Sequence, residues 1–121
     1  MTRAETVRNV VFALLGGAGL VLKSSYHGPL EHLVHAYGGN FAVSLGLYFV
    51  ALSAASRHGL GRWTAAGATL VAVEAFEITN GFGLMTNVYD PLDLVANAVG
   101  VALAAAIDVA SSRQLARVLR T

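Results

Sequence analysis

Residues 33–62 read LVHAYGGNFAVSLGLYFVALSAASRHGLGR. From Leu33 to Ala55 this stretch carries no Asp, Glu, Lys or Arg. A bilayer core about 30 Å thick asks for roughly 20 such residues as a helix. In lipid, every backbone polar group must be satisfied within the segment, which an α-helix achieves by itself. The run then stops at Ser56-Arg57-His58-Gly59-Leu60-Gly61-Arg62, a tight polar loop with two arginines and two glycines.

Working outward, the same pattern recurs. Before the loop Gly28-Pro29, a turn signal, lies an apolar run bracketed by Arg8 and Lys23. Arg3 and Arg8 followed by an apolar run resemble a secretory leader. Lys23-Ser24-Ser25-Tyr26 is a poor cleavage site, however, so a retained first span is expected. Beyond the loop, Trp63 marks an interfacial start, and Pro91 opens a last apolar run. The spacing predicts an all-α, four-helix transmembrane bundle in one domain, with spans at about 7–23, 32–55, 63–84 and 91–110. Ser111 onward reads as a polar tail.

Orientation follows from the cations. With the N-terminus inside, Arg3, Arg8, Arg57, Arg62, Arg113, Arg117 and Arg120 all lie on the cytoplasmic side, and only Lys23 lies outside. This bias predicts cytoplasmic N- and C-termini and an even number of spans. Ala96, Gly100 and Ala104, and Gly39 and Gly46, are small residues at spacings that let helices approach closely.

Composition agrees. The 121 residues are 55% hydrophobic and 12% charged, with mean hydropathy +0.61, against about 25% charged in soluble domains. With no cysteine, disulfides and thiolate chemistry are excluded. A net charge of +1 without a basic, aromatic patch gives no nucleic-acid signal. Ser24, Ser25, Ser44 and Ser53 lack a nucleophile-elbow context, so no hydrolase role is assigned, and an enzyme is not the expected reading.

The polar residues within the spans are the most informative. Ionisable groups in a membrane are costly and face a protein interior or a cavity. Glu74 lies about 16 Å beyond Trp63, with Glu77 one turn further on the same helix side. Asp93, Asn97, Gly100 and Ala104 share a face of the fourth span. Glu77 and Asn97 are expected at comparable depth, with Gly100 and Ala104 opposite Glu74. His32 and His35 stand at the outer end of the second span. These three faces are expected to converge in the outer half as a polar cluster of His32, His35, Glu74, Glu77, Asp93 and Asn97. The carboxyls are then protonated, or hydrogen-bonded to Asn97, Asn80 or a histidine, or paired with a cationic ligand. A metal held by His32, His35 and Glu31 with Glu77 or Asp93 has only loose spacing behind it, so neither metal nor cofactor is expected. His58 is expected in solvent, and Asp108 is expected to reach Arg113 or the interface.

Two motifs resemble the VanZ-like family of small bacterial membrane proteins. Glu31-His32-Leu33-Val34-His35 stands where that family shows Asp-Lys-x-x-His. Glu74-Ala75-Phe76-Glu77 stands for its Glu-x-x-Gln, and Asp93-Leu94-Val95-Ala96-Asn97-Ala98-Val99-Gly100 for its Asp-x-x-x-Asn-x-x-Gly. The resemblance implies a four- or five-helix fold in the bacterial inner membrane and a loose link to the cell envelope and glycopeptide-type antibiotic tolerance. The expected partners are membrane lipids. An alternative is a non-catalytic accessory subunit of a larger membrane complex, or a homo-oligomer. An ion- or proton-handling role meets an obstacle, because residues 64–73 below Glu74 are almost wholly apolar.

Overall fold

The computed structural model describes residues 1–79, 81, 83 and 90–120. They form four α-helices: α1 (Arg3–Leu22), α2 (Glu31–Arg57), α3 (Arg62–Ile78) and α4 (Pro91–Arg120), with a 3-10 turn at Lys23–Ser25. No strand occurs among the described residues. Helices α1, α2 and α4 are long and apolar enough to cross a membrane. Helix α3 has 17 described residues, a rise of about 26 Å. It ends at Ile78, short of the expected 84, because Thr79, Gly81 and Gly83 form turns, with φ of +69° at Gly81 and +86° at Gly83; Asn80, Phe82 and Leu84 lie outside the described residues, as do Asn87 and Tyr89.

Local chemistry sets the helix ends. Helix α1 starts four residues before the expected span because Thr2 and Glu5 form a reciprocal capping box. The Thr2 hydroxyl accepts from the Glu5 amide at 3.1 Å, and the Glu5 carboxylate accepts from the Thr2 amide at 3.0 Å. Between α2 and α3 the chain reverses at Gly59, whose φ of +72° suits a residue without Cβ. The Leu60 amide donates back to the Ala55 carbonyl at 2.8 Å. Asp90 opens α4 by accepting the Leu92 amide at 3.0 Å, and Pro91 fits the first helical position. Helix α4 then continues ten residues past the expected end at 110. The expected polar tail is helical because Gln114, Leu115, Ala116 and Arg117 are good helix formers and no Gly or Pro interrupts them.

Helix α2 is the central element and packs against α1, α3 and α4, whereas α1 touches α4 only slightly. The core is built from Tyr48, Phe49 and Leu52 of α2, Val73 of α3, and Val101 and Ala104 of α4. Outward surfaces stay apolar: Val7, Val11, Leu14, Leu15 and Val21 of α1 are exposed, as are Val50, Val71 and Val99. An apolar exterior of this extent is unusual in a water-soluble monomer and suits lipid.

Close backbone contact sets the helix registers. A Cβ on Gly16 would lie 2.6 Å from the Gly46 Cα, and one on Gly100 would lie 2.7 Å from the Phe41 carbonyl oxygen. The small residues Gly46 and Gly100 therefore both face a neighbouring helix, Gly46 against Gly16 of α1.

Candidate functional site

Arg8 of α1, Arg62 of α3 and Asp108 of α4 meet at one end of the bundle; we call it the arginine end. The other end holds the acidic and amide residues of α3 and α4, and is the carboxylate end.

At the carboxylate end Asn97 organises three helices. Its side chain is buried. The amide nitrogen donates to Glu74 Oε1 at 2.9 Å and to the Val73 carbonyl at 3.4 Å, while its oxygen accepts from the Ser44 hydroxyl at 3.2 Å. A buried amide must find such partners or lose the desolvation energy of each unmet group. One turn further out, Glu77 lies within hydrogen-bonding reach of Asp93. Thus Glu74 faces Asn97 and Glu77 faces Asp93. The expected levelling of Glu77 with Asn97 is off by about one turn. The physical reason is Gly100: its bare backbone packs on Phe41 and Ser44 of α2 instead of facing Glu74, and this contact sets where α4 sits.

Four of the six expected residues therefore come together. The histidines do not join them. His35 Nε2 lies 2.8 Å from the Tyr26 carbonyl oxygen, turned toward the loop after α1. His32 is exposed, one turn beyond Ala36, and neither histidine lines the cavity at this end. Among the described residues, no three His, Asp or Glu side chains are grouped to hold a metal ion.

A cavity of about 600 Å³ occupies this end. It is lined by the polar side chains of Lys23, Asn40, Glu77, Asp93 and Asn97 and by apolar groups that include Leu20, Leu47 and Phe76. Lys23 and Asn40 are additions that sequence reasoning missed. Lys23 belongs here because residue 39 has no side chain: a Cβ on Gly39 would lie 2.7 Å from the Lys23 ammonium. Hydropathy treats Lys23 as a boundary marker and carries no signal for this contact.

The arginine end holds a second polar centre. Asp108 is 1% exposed. Its carboxylate pairs with Arg8 at 3.2 Å and Arg62 at 3.3 Å, and accepts from the Tyr48 hydroxyl at 2.6 Å and the Ser112 hydroxyl at 3.0 Å. Arg8 also donates to Asn9 Oδ1 and to the hydroxyls of Ser111 and Ser112, and it lies over the Phe49 ring at 5.6 Å. The expected partner Arg113 is not among these contacts. Helix geometry explains this, since neighbours on one face are three or four residues apart; Ser111 and Ser112 satisfy that spacing and Arg113 does not. Tyr48→Phe removes a hydrogen bond to a buried charge and is expected to cost about 1.5–3 kcal/mol. The check is the unfolding midpoint of the two purified proteins in the same detergent.

Between the two centres the core is less apolar than residues 64–73 suggested. Ser44 and Tyr48 of α2 occupy that level, and Thr69 of α3 is buried with a hydroxyl that finds no hydrogen-bond partner among the described residues. Compared with protein-family models, with curated proteins and with solved structures, the chain matches none.

Proposed function

We propose that this chain is a VanZ-like protein of the bacterial inner membrane. It crosses the bilayer four times with both termini cytoplasmic, and its cavity binds a lipid or lipid-linked envelope component, a role tied to glycopeptide-type antibiotic tolerance. Support for the topology comes from the arginine end. Helices α1 and α3 start there and α4 returns to it. The exposed arginines Arg3, Arg57, Arg113 and Arg117 lie on the segments that begin or end near it, which makes it the cytoplasmic end by the charge rule. The cavity then belongs to the outer half.

The observation that carries the binding reading is that cavity: a space of about 600 Å³ lined by five polar side chains together with aliphatic and aromatic groups. That mixture, and a volume within about 300–1,000 Å³, are features of small-molecule sites. Lipid approaches such a site from the side.

The test is tolerance of a deletion strain to envelope-targeting glycopeptides, complemented with variants. Glu74→Ala and Asn97→Ala are each expected to abolish complementation while a topology reporter still shows membrane insertion. Full tolerance from both inserted variants would remove this reading. Stoichiometric co-purification with one large assembly in mild detergent, with tolerance unaffected, would make the chain an accessory subunit and the Asn97 network a folding element.

A further inference from the structure

We infer that the cavity takes a phosphatidylethanolamine headgroup, with the phosphate on Lys23 and the primary ammonium between Glu77 and Asp93. This rests on the lipid-binding reading above and names the class of lipid.

The layout of charge is the argument. The Lys23 side chain is half-buried and takes part in no ion pair or hydrogen bond among the described residues. Its ammonium rests against the backbone of α2 at Gly39. In the same cavity stand Glu77 and Asp93, adjacent to one another and paired with no Lys, Arg or His of the described residues. Lys23 and the two adjoining carboxyls line one cavity without an ion pair between them. All three side chains are partly exposed to the cavity, and a guest that carries both signs is complementary to both.

The choice of headgroup follows from complementarity. An anionic headgroup satisfies Lys23 and meets two carboxyls without a countercharge. A choline headgroup has the right charges but no N–H, so it cannot donate to Glu77 or Asp93. A primary ammonium has three donors, enough for both carboxyls and one amide oxygen. Asn40 lines the same cavity, and its side chain makes no hydrogen bond among the described residues. The remaining lining, with Leu20, Val43 and Leu47, is apolar and suits the glycerol and the first methylenes of the acyl chains.

The experiment is native mass spectrometry of the full chain released from nanodiscs of matched phosphatidylethanolamine, phosphatidylcholine and phosphatidylglycerol content. One phosphatidylethanolamine per chain is expected, retained about tenfold over either competitor, as expected for one charge-assisted hydrogen bond or more. Lys23→Gln and Glu77→Gln should each remove that preference. A Cβ at Gly39 meets only the ends of two flexible side chains, Lys23 and Leu20, so Gly39→Ala leaves the fold intact and should weaken retention in the same direction. Free O-phosphoethanolamine at the same concentration should fail to displace the lipid; displacement would overturn the lipid as the source. Equal retention of the three phospholipids, or retention of a different lipid, would overturn this inference and leave lipid binding standing. Retention of no lipid at all would overturn both.

Discussion

Asp108→Ala is expected to lower the unfolding free energy by about 3–5 kcal/mol, the range for removing one partner of a buried ion pair. The carboxylate is shared by Arg8 and Arg62 and by the hydroxyls of Tyr48 and Ser112. Its loss leaves two guanidinium groups facing one another without a countercharge and strips the Tyr48 hydroxyl of its acceptor. The penalty comes from what stays behind, so it shrinks when the partners leave too. Arg8→Met, Arg62→Met and Asp108→Leu combined are expected to recover most of the loss, because well-packed apolar groups of similar volume replace a buried ion cluster at little cost. Titration of the purified protein with a denaturing detergent, followed by far-UV circular dichroism, measures both. A single Asp108→Ala variant that unfolds at the wild-type midpoint would mean that this cluster carries no net stability.

Gly16→Ala should separate sharply from Gly17→Ala, although the two positions are neighbours on one helix. A Cβ at Gly16 would fall 2.6 Å from the Gly46 Cα and 2.7 Å from the Ala42 carbonyl oxygen, whereas a Cβ at Gly17 meets nothing within 4 Å. The obstructing atoms at Gly16 are backbone, so α1 and α2 must move apart. Overpacking of this kind costs about 1–3 kcal/mol, and in lipid the close approach of backbones is itself a main source of helix association. Gly17→Ala is expected to be neutral or to stabilise by up to about 1 kcal/mol through helix propensity. The effect at Gly16 should also reach the arginine end. Helix α1 is held mainly by α2, and displacing it draws Arg8 away from Asp108. Gly16→Ala and Asp108→Ala are therefore expected to be less than additive in a double-mutant cycle. Full additivity would show that α1 can shift without disturbing Arg8.

The helices themselves were legible in residues 33–62 and in the runs that flank them. Hydropathy sums over neighbours along the chain, and the arginine distribution is likewise a one-dimensional quantity. The candidate site was legible in part. Glu74, Glu77, Asp93 and Asn97 stand out because polar residues in apolar runs need partners, and the spacing of three or four residues assigns each to a helix face. Lys23 and Asp108 were misjudged for one shared reason: each lies near the end of an apolar run, where a charge has an inexpensive route to the interface. The histidines were misplaced because the turn at 26–30 decides what the first turn of α2 meets, and the Tyr26 carbonyl reaches His35 there.

What the sequence determined unaided is a set of apolar helices with their cations gathered near a common side and a few polar residues that demand satisfaction. These are properties of single segments, governed by the transfer of side chains and peptide groups between water and an apolar medium. Which polar groups meet was decided only by tertiary structure. Helix register depends on where two backbones can touch, at Gly16 against Gly46 and at Gly100 against Phe41 and Ser44, and a shift of one turn changes every partner along the interface. That choice is made by steric contact between segments distant in the chain, which no property of a single segment encodes.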